Sequence, residues 1–525
     1  MAGTVTTDLA FFAGATGGSS DADSLTDWTG SGLAVDTVQF VQGAGSIYSY
    51  LAAASTTRYW NFACVPTNIQ GKAIYFWFAL GKVGWLNTKA NGGLTFKVTD
   101  SAGNWALWNV AGSDTLPHNG FICHCIHTDV PPDSQSATPP DLTAITSFEI
   151  RANGSFPGKA YLWVDAVRYG TYIQIKGGTP TEPATFEDIY AAESDVANRW
   201  GVLDKVNGIY FVQGKILIGS TTSGEATYFK DTSQVVVFKY AIVPAGFYEI
   251  KIQGNPGAET SVYFGTKVGT AGISGCVFRT APGATPFLFT ATDENITNLG
   301  IYGCSFFDVS TISLPTYSTT REVLTSSFEA SAPVQVSTCT VKYSKFINAD
   351  DAGIVISSTN HNVSNCDFIG CPYGVRITAA GTYTFDAMLF TGNTTDIDNT
   401  SGNLVTINCV HGSNPTTYTG NTIIQTALTL TVRKVKTGAE PNKYVRVSIH
   451  RADTMQEIMN RDADIEDDLN PGYYKATATY VGPTGFPIVV RAREAGWLPY
   501  EVTMTMPSTD LDVTAVWLPD PNYSG

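Results

Sequence analysis

The stretch VSNCDFIGCPYGVRI, Val363 to Ile377, places Cys366 and Cys371 with four residues between them amid strand-forming residues. A pair so spaced reads as a metal site, a disulfide, reactive thiols or packing. Its neighbours in the chain decide among these. The pattern apolar, any residue, small or Asn, Cys or similar, any residue, Phe recurs as ISGCVF (273–278), IYGCSF (301–306), VKYSKF (341–346), VSNCDF (363–368) and FDAMLF (385–390). A degenerate copy is TINCVH (406–411). The final positions lie 28, 40, 22, 22 and 21 residues apart, so the unit is near 22 residues and is lengthened in places by a loop. Self-similarity at such a period signals a stacked repeat architecture.

A unit of this length fits one coil of a right-handed parallel β-helix, here expected over residues 205–420. After two of the motifs a Gly leads into a further apolar strand, GIVI at 353–356 and GVRI at 374–377. With these features NVSNCDFIGCPYGVRI resembles a coil of the pectate-lyase-like β-helix family, whose fold hosts lyases, hydrolases, adhesins and inert shafts. On this reading Cys276, Cys304, Ser344, Cys366, Met388 and Cys409 fill one inward column, and Phe278, Phe306, Phe346, Phe368 and Phe390 another. The residues between them (Val277, Ser305, Lys345, Asp367, Leu389, Val410) vary freely in charge, as an outward column does. A buried Cys behaves as a small hydrophobe, so a core ladder accounts for the column without chemistry. Stacking would also bring Cys276 and Cys304 within disulfide reach.

Composition bounds the rest. The chain has 525 residues, more than one core usually serves, with 50 Gly, 12% aromatic and only 15% charged residues. Together with sparse helical periodicity, this predicts an all-β chain rich in turns. A net charge of −15, from 31 basic and 46 acidic residues, repels phosphate backbones and anionic membrane surfaces. No nucleic-acid partner and no membrane insertion are expected. The N-terminal MAGTVTTDLAFFAGATGGSS has no basic region and only a short apolar run, so folding in a cytoplasm is expected, with the nine cysteines mostly thiols and the sequons at Asn295, Asn362 and Asn393 unused.

Residues 1–175 carry seven of the ten tryptophans, in strand-like runs such as KAIYFWFAL, NWALWNVAG and AYLWVDAVRYG. Their order resembles the concanavalin-like jelly rolls of laminin-G and carbohydrate-binding modules. Residues 176–204 read as a linker and a helix from Thr185, an N-cap, to Trp200, with Phe186, Ile189, Tyr190 and Val196 near one face. Residues 421–525 hold about six alternating strands, and with RAREAGWLPY they resemble the transthyretin-like or carboxypeptidase-regulatory β-sandwich. The expected order is therefore an N-terminal jelly-roll sandwich, a central right-handed parallel β-helix and a C-terminal small β-sandwich.

Candidate chemistry is sparse. In CHCIH, Cys123, Cys125 and His127 would share one strand face and supply three zinc ligands, with Asp129 or His118 as a fourth; the alternative is a strand with small residues inward. Polysaccharide cleavage would need paired carboxylates or a base with arginines, and the candidates are Asp308, Asp350, Asp351, Asp367 and Asp386 with Arg376 nearby. Asp462, Asp464 and Glu466 of DADIEDD lack the Gly and terminal Glu spacing of a calcium loop. Trp77 and Trp163 lie inside strands and are expected in the core. Trp85, Trp105 and Trp108, near Gly- and Asn-rich turns, are the candidates for stacking on sugar faces. No cofactor motif is present.

The combination resembles virion structural proteins of tailed bacteriophages: fibres, spikes, baseplate or head-decoration proteins. GIYFVQGKILIGS…ATYFKDTSQVVVF (208–238) has the look of the opening coils of such β-helices. The resemblance implies a non-enzymatic virion component made in the host cytoplasm, with a stiff β-helical spacer and outer domains that contact other virion proteins or host surface glycan. It also implies a homo-oligomer, three-fold if a spike or fibre. The helix at 185–200 would cap one end of the coil and the last domain the other. A tailspike-like depolymerase and a glycan-binding adhesin are the rival expectations.

Overall fold

A computed structural model describes every residue except 1, 51, 315–319, 337–338, 437–444, 472, 483–484, 495, 508 and 523–525. The chain is all-β and divides into two compact units, Met1–Ile354 and Val355–Gly525.

The first unit opens with two antiparallel sheets around one core. One runs Ile122–His127, Ala73–Leu80, Tyr161–Gly170, Ser46–Tyr50, Leu33–Asp36 in spatial order, with Ala10–Phe11 also on Tyr161–Gly170. The other runs Ser134–Gln135, Trp105–Ala111, Leu94–Asp100, Ile145–Phe156, Ser55–Thr67, Trp28–Gly30. Along Ile145–Phe156, residues Phe148, Ile150 and Ala152 are buried while Glu149, Arg151 and Asn153 face outward, the period-2 pattern of a sheet with one wet face. Phe76, Phe96 and Phe148 stack between the sheets at centroid distances of 5.6 and 5.5 Å. Trp60 and Trp108 are fully enclosed, because each indole N–H finds a carbonyl: Ile47 O at 3.1 Å and Val130 O at 2.8 Å.

The strand Tyr172–Gly177 then changes the pairing mode. It lies antiparallel to Gly3–Thr7 on one side and parallel to Lys215–Gly219 on the other. From there each strand pairs in parallel with the one a turn ahead, three strands to a turn. Lys215–Gly219, Glu249–Gln253, Phe287–Thr290 and Val309–Ser313 form one face. Thr227–Asp231, Thr260–Phe264, Asn298–Tyr302, Arg321–Leu324 and Thr340–Lys342 form the second. Ile209–Val212, Val235–Phe238, Val277–Thr280, Ser305–Phe307, Ser327–Glu329 and Lys345–Ile347 form the third.

On this third face the Phe column is continuous. Phe278, Phe306, Phe328 and Phe346 stack ring on ring at 5.2, 5.0 and 5.2 Å. Phe328 was not in the sequence pattern. The 40-residue interval from Phe306 to Phe346 conceals a complete turn, VLTSSF (323–328), and so splits into 22 and 18. Its column residue is Ser326. The column has a polar reason as well as a packing one: Cys276 N donates to Cys304 Sγ at 3.4 Å, Cys304 N to Ser326 Oγ at 3.2 Å and Ser326 N to Ser344 Oγ at 3.2 Å. Each small side chain accepts from the backbone N–H of the preceding turn, which a buried backbone donor requires.

The position before the column is a corner in the left-handed region, at Gly303 (φ 63), Thr325 (φ 54) and Tyr343 (φ 55). That conformation explains the preference for small residues or Asn there. A second corner follows Phe306, Phe328 and Phe346 by two residues, at Asp308, Ala330 and Asn348.

The only α-helix among the described residues is Phe186–Ser194, shorter than the span to Trp200 read from sequence. Thr185 is its N-cap: the Asp188 N–H donates to Thr185 Oγ1, and the Thr185 N–H to Asp188 Oδ2, a reciprocal capping box. The chain leaves the helix at Asp195 in extended conformation, and Val196 is exposed instead of on the helix face. Phe186 plugs the mouth of the ladder, against Tyr210, Phe229, Phe264 and Phe278.

In the second unit, Asp367–Ile369 and Leu389–Thr391 pair in parallel, with Phe368 and Phe390 stacked at 5.0 Å. Cys366 and Cys371 are both buried, each with its thiol aimed at a backbone carbonyl, Ser364 O and Ile369 O respectively. Asn365 and Ala387 are left-handed corners, like their counterparts in the first unit. Cys409 corrects the sequence register. It stands opposite Phe385 in the ladder of Gly381–Asp386 with Val405–Val410, and the residue that accepts from Met388 N is Ser413, through Oγ at 2.9 Å. The pattern TINCVH falls in a strand, and the corner follows it at His411.

The ladder passes into the last sheets without a break. The strand Thr422–Lys436 pairs in parallel with Val405–Val410 through its first residues, then antiparallel with Tyr474–Gly482 and parallel with Leu511–Trp517. A four-stranded antiparallel sheet, in the order Glu457–Asp462, Arg446–Arg451, Pro487–Arg493, Tyr500–Thr505, closes a core of Leu430, Val432, Val447, Ile449, Ile488 and Val490.

Candidate functional site

The outer face of the second sheet of the first unit is open and carries polar side chains. The register sets Thr29, Asn61, Glu149 and Lys97 in one row across four strands, and Tyr59, Arg151, Thr95 and Asn109 in the next. Arg151 donates Nε to Glu149 Oε1 at 2.9 Å and Nη2 to Oε2 at 3.1 Å, a two-pronged pair on one strand. Trp105 lies on this face beneath the Lys97 ammonium, 5.2 Å from its ring, and Tyr59 is exposed. Rings and a fixed ion pair on a flat wet sheet suit a ligand with both apolar faces and hydroxyls.

Of the three tryptophans read as sugar-stacking candidates, only Trp105 stands on this face. Trp108 is 1% exposed and turned into the core, so it offers no ring to a ligand. Alternation along Trp105–Ala111 puts the two indoles, three residues apart, on opposite sides of the sheet. Trp85 lies in the short turn Val83–Trp85, packed against the core from one side. Trp163, expected inside, faces out: its ring lies near Tyr161, with Tyr48 and Tyr50 beside them, and its Nε1 donates to Asp36 Oδ2 at 2.9 Å. Trp77 is likewise half-buried on that outer side, donating to Arg199 O. Strand membership alone could not distinguish the two faces.

The CHCIH strand Ile122–His127 is an edge of the first sheet. Cys123, Cys125 and His127 do share a face, as spacing implies, but that face is packed: a Cβ on Gly201 would fall 2.1 Å from Cys123 Sγ, and His127 lies 4.6 Å from the Phe247 ring. Burial pushes the Cys125 thiol up to about 12 and lowers His127. Asp129 N donates to His127 Nδ1 at 3.2 Å, and His118 is exposed. Among the described residues no group of three or more His, Cys, Asp or Glu is placed to hold a metal ion.

The ladder carboxylates are scattered. Asp308 is raised by burial and by Asp350, and Asp350 N donates to Ser331 O. Asp351 sits beside it at the head of Ala352–Ile356. Asp367 stands opposite Leu389 in register, and Asp386 opposite Ser364 and Val410, so the two lie on different faces. Asp386 is engaged by His411 Nδ1 at 2.6 Å, and Arg376 by Asp398 at 2.6 Å. Asp462, Asp464 and Glu466 are exposed, whereas Asp467, beside them, is buried against Arg433, which also meets Asp468 and Asp512. That cluster was not legible: its members are distant in sequence.

No family model and no curated protein matches the chain. Among solved structures it is similar to PfGH50B (9% identity, 27% of this chain and 22% of that one, TM-score 0.21). It is similar to an arabinose-bound α-L-arabinofuranosidase, MgGH51 (12%, 31% and 25%, TM-score 0.20), and to the CBM22-1 xylan-binding domain of Paenibacillus barcinonensis Xyn10C (15%, 31% and 94%, TM-score 0.20). The chain spans a quarter or less of the length of the first two.

Proposed function

We propose that the chain is a non-enzymatic structural component of a phage virion. In this reading the three-faced ladder is a right-handed parallel β-helix acting as a stiff spacer, the first two sheets are a jelly roll, and the last sheets are a transthyretin-like β-sandwich. The outer domains contact other virion proteins or host surface, in a homo-oligomer. The observation that carries the proposal is the column of stacked Phe rings from Phe278 to Phe346 and the Cys and Ser side chains beside it that accept from backbone N–H groups, all spent on packing. The ladder carboxylates, by contrast, are dispersed or individually engaged. The test is immuno-electron microscopy of the phage that encodes the chain: labelling at one fixed place on the particle supports the proposal, and unlabelled particles overturn it.

One observation favours a glycan-binding role for the first domain: its open face carries the Trp105 ring beside Lys97 and, one strand further on, the Glu149–Arg151 pair. Saturable binding to host polysaccharide that weakens about tenfold in Trp105→Ala and is unchanged in Trp85→Ala would support it, since stacking on one aromatic is worth ~1–2 kcal/mol. Equal binding by Trp105→Ala and the parent would refute it.

A further inference from the structure

In the second unit, the outer face of the four-stranded sheet gathers three arginines. Its two inner strands are Arg446–Arg451 and Pro487–Arg493. The register sets Ser448 opposite Arg491 on one side and Asn460 on the other, and Arg446 opposite Arg493. Val447, Ile449, Val490 and Ala492 point into the core, so the alternate residues Arg446, Ser448, Arg491 and Arg493 share the wet face. Neighbouring strands about 4.8 Å apart, and next-but-one residues about 6.8 Å apart, bring all three guanidinium groups within reach of one point above Ser448. The small serine leaves a depression of about 270 Å³ there, rimmed by Arg446, Arg491, Arg493, Asn460 and His450.

These guanidinium groups are under-used. Arg493 is exposed, and its side chain makes no hydrogen bond or ion pair among the described residues. Arg491 donates to Glu501 Oε2 through Nε alone, at 2.7 Å, and Arg446 to Asp462 Oδ1 through Nη1 alone, at 3.4 Å. Both acids are half exposed and stand on the outer strands, Tyr500–Thr505 and Glu457–Asp462, so they hold the arginines from the rim. Exposed pairs with a single N–H each are weak and yield to a better acceptor. Glu457, the third acid of the rim, accepts from Asn460 Nδ2 at 2.9 Å and lies 3.8 Å from His450 Nε2.

Three forks within reach of one point offer more N–H donors than the two oxygens of a carboxylate accept, whereas a tetrahedral oxyanion presents an oxygen to each. The planar fork of Arg matches phosphate and sulfate geometry, where Lys would offer only a point charge. The net charge of −15 restricts the ligand further: a single anionic group can enter, while a polyanion meets repulsion from the rest of the surface. We propose that the depression over Ser448 binds one phosphate- or sulfate-type group, free or carried on a sugar, with Arg446, Arg491 and Arg493 around it. The site belongs to a different unit from the open sheet face described above and does not depend on the spacer role.

The test is calorimetric titration of the intact protein with inorganic phosphate, inorganic sulfate, D-glucose 6-phosphate and, as controls, D-glucose and acetate. Saturable binding of the oxyanions but of neither control is expected, weakened about tenfold or more in Arg493→Met, which keeps the aliphatic stem. Tighter binding of the sugar phosphate than of phosphate identifies a carried group, and equal or weaker binding a free anion. Ser448→Tyr, which fills the floor and leaves the three guanidinium groups, should abolish binding; retained binding would place the anion elsewhere and overturn the proposal. No saturable binding of any oxyanion overturns it, as does acetate binding as tight as that of phosphate, or equal binding by Arg493→Met and the parent. A short DNA single strand that binds more tightly than the sugar phosphate would make this a polyanion surface and overturn it as well. Arg279→Met, exposed on the ladder of the first unit, must leave the titration unchanged; a loss there would reveal a general charge effect in place of a site.

Discussion

At the scale of single residues, the ladder is governed by its corners and its column. Asn365 sits at φ 54, a conformation that Asn adopts readily and a β-branched residue only at a steric cost. Asn365→Val is therefore expected to destabilise the native state by about 1–2 kcal/mol in denaturant titration, with Asn365→Gly within a few tenths of the parent. The preference for small residues or Asn was visible in the sequence, but its cause was not, and this concealed one turn: Thr325 occupies the corner before Ser326 and Phe328, against local preference. The column itself is chemically quiet. Burial pushes Cys304 in the column up to about 12 and Cys409, in the neighbouring strand face, up to about 11, and all nine cysteines are buried. A thiol reagent at pH 8 should label the native protein slowly at every cysteine and completely after unfolding. Rapid labelling of Cys366 in the native protein would contradict the packing.

At the scale of elements, the helix and its surroundings concentrate buried acid groups. Glu193 accepts from the Gly201 and Leu203 N–H groups, Asp231 from Phe186 N, and Asp165 from Val41 and Gln42 N; burial raises each to about 7. An acid raised on folding binds its proton more tightly in the native state than in the unfolded one. Its contribution is therefore fully present below the ordinary carboxylate range and is lost as pH rises through about 7. From these groups thermal stability should fall as pH rises from about 4 to about 7, and Asp231→Asn should flatten part of that slope; an unchanged slope in the variant would refute the assignment. Phe186→Ala, which opens the ladder mouth, should cost about 3–5 kcal/mol. The helix start was legible because Thr185 and Asp188 carry a local capping signal. Its end was not, since the turn after Ser194 is fixed by distant partners, Trp77 and Arg168, which both donate to Arg199 O. The same limit applies to Trp105 and Trp163: periodicity shows that a strand has two faces, and only the packed sheet shows which one is wet.

At the scale of the whole molecule, the all-β class, the parallel repeat and the strand content of the last hundred residues were legible, because each rests on local period and composition. The joins were not. Residue 421 reads as a boundary where composition shifts, yet Thr422–Lys436 is one strand shared by the ladder and the last sheets. Limited proteolysis of the native protein should therefore produce no cut between Thr422 and Lys436, since each residue of that strand pairs with at least one neighbouring strand; release of an intact C-terminal fragment from that span would contradict the shared strand. The central claim, a spacer that builds particles and performs no reaction, is tested most directly by quantitative mass spectrometry of purified particles, paired with an assay for new reducing ends on host polysaccharide. A fixed copy number per particle and no new ends are predicted. Absence from the particles, with cleavage by the purified chain, would contradict the account.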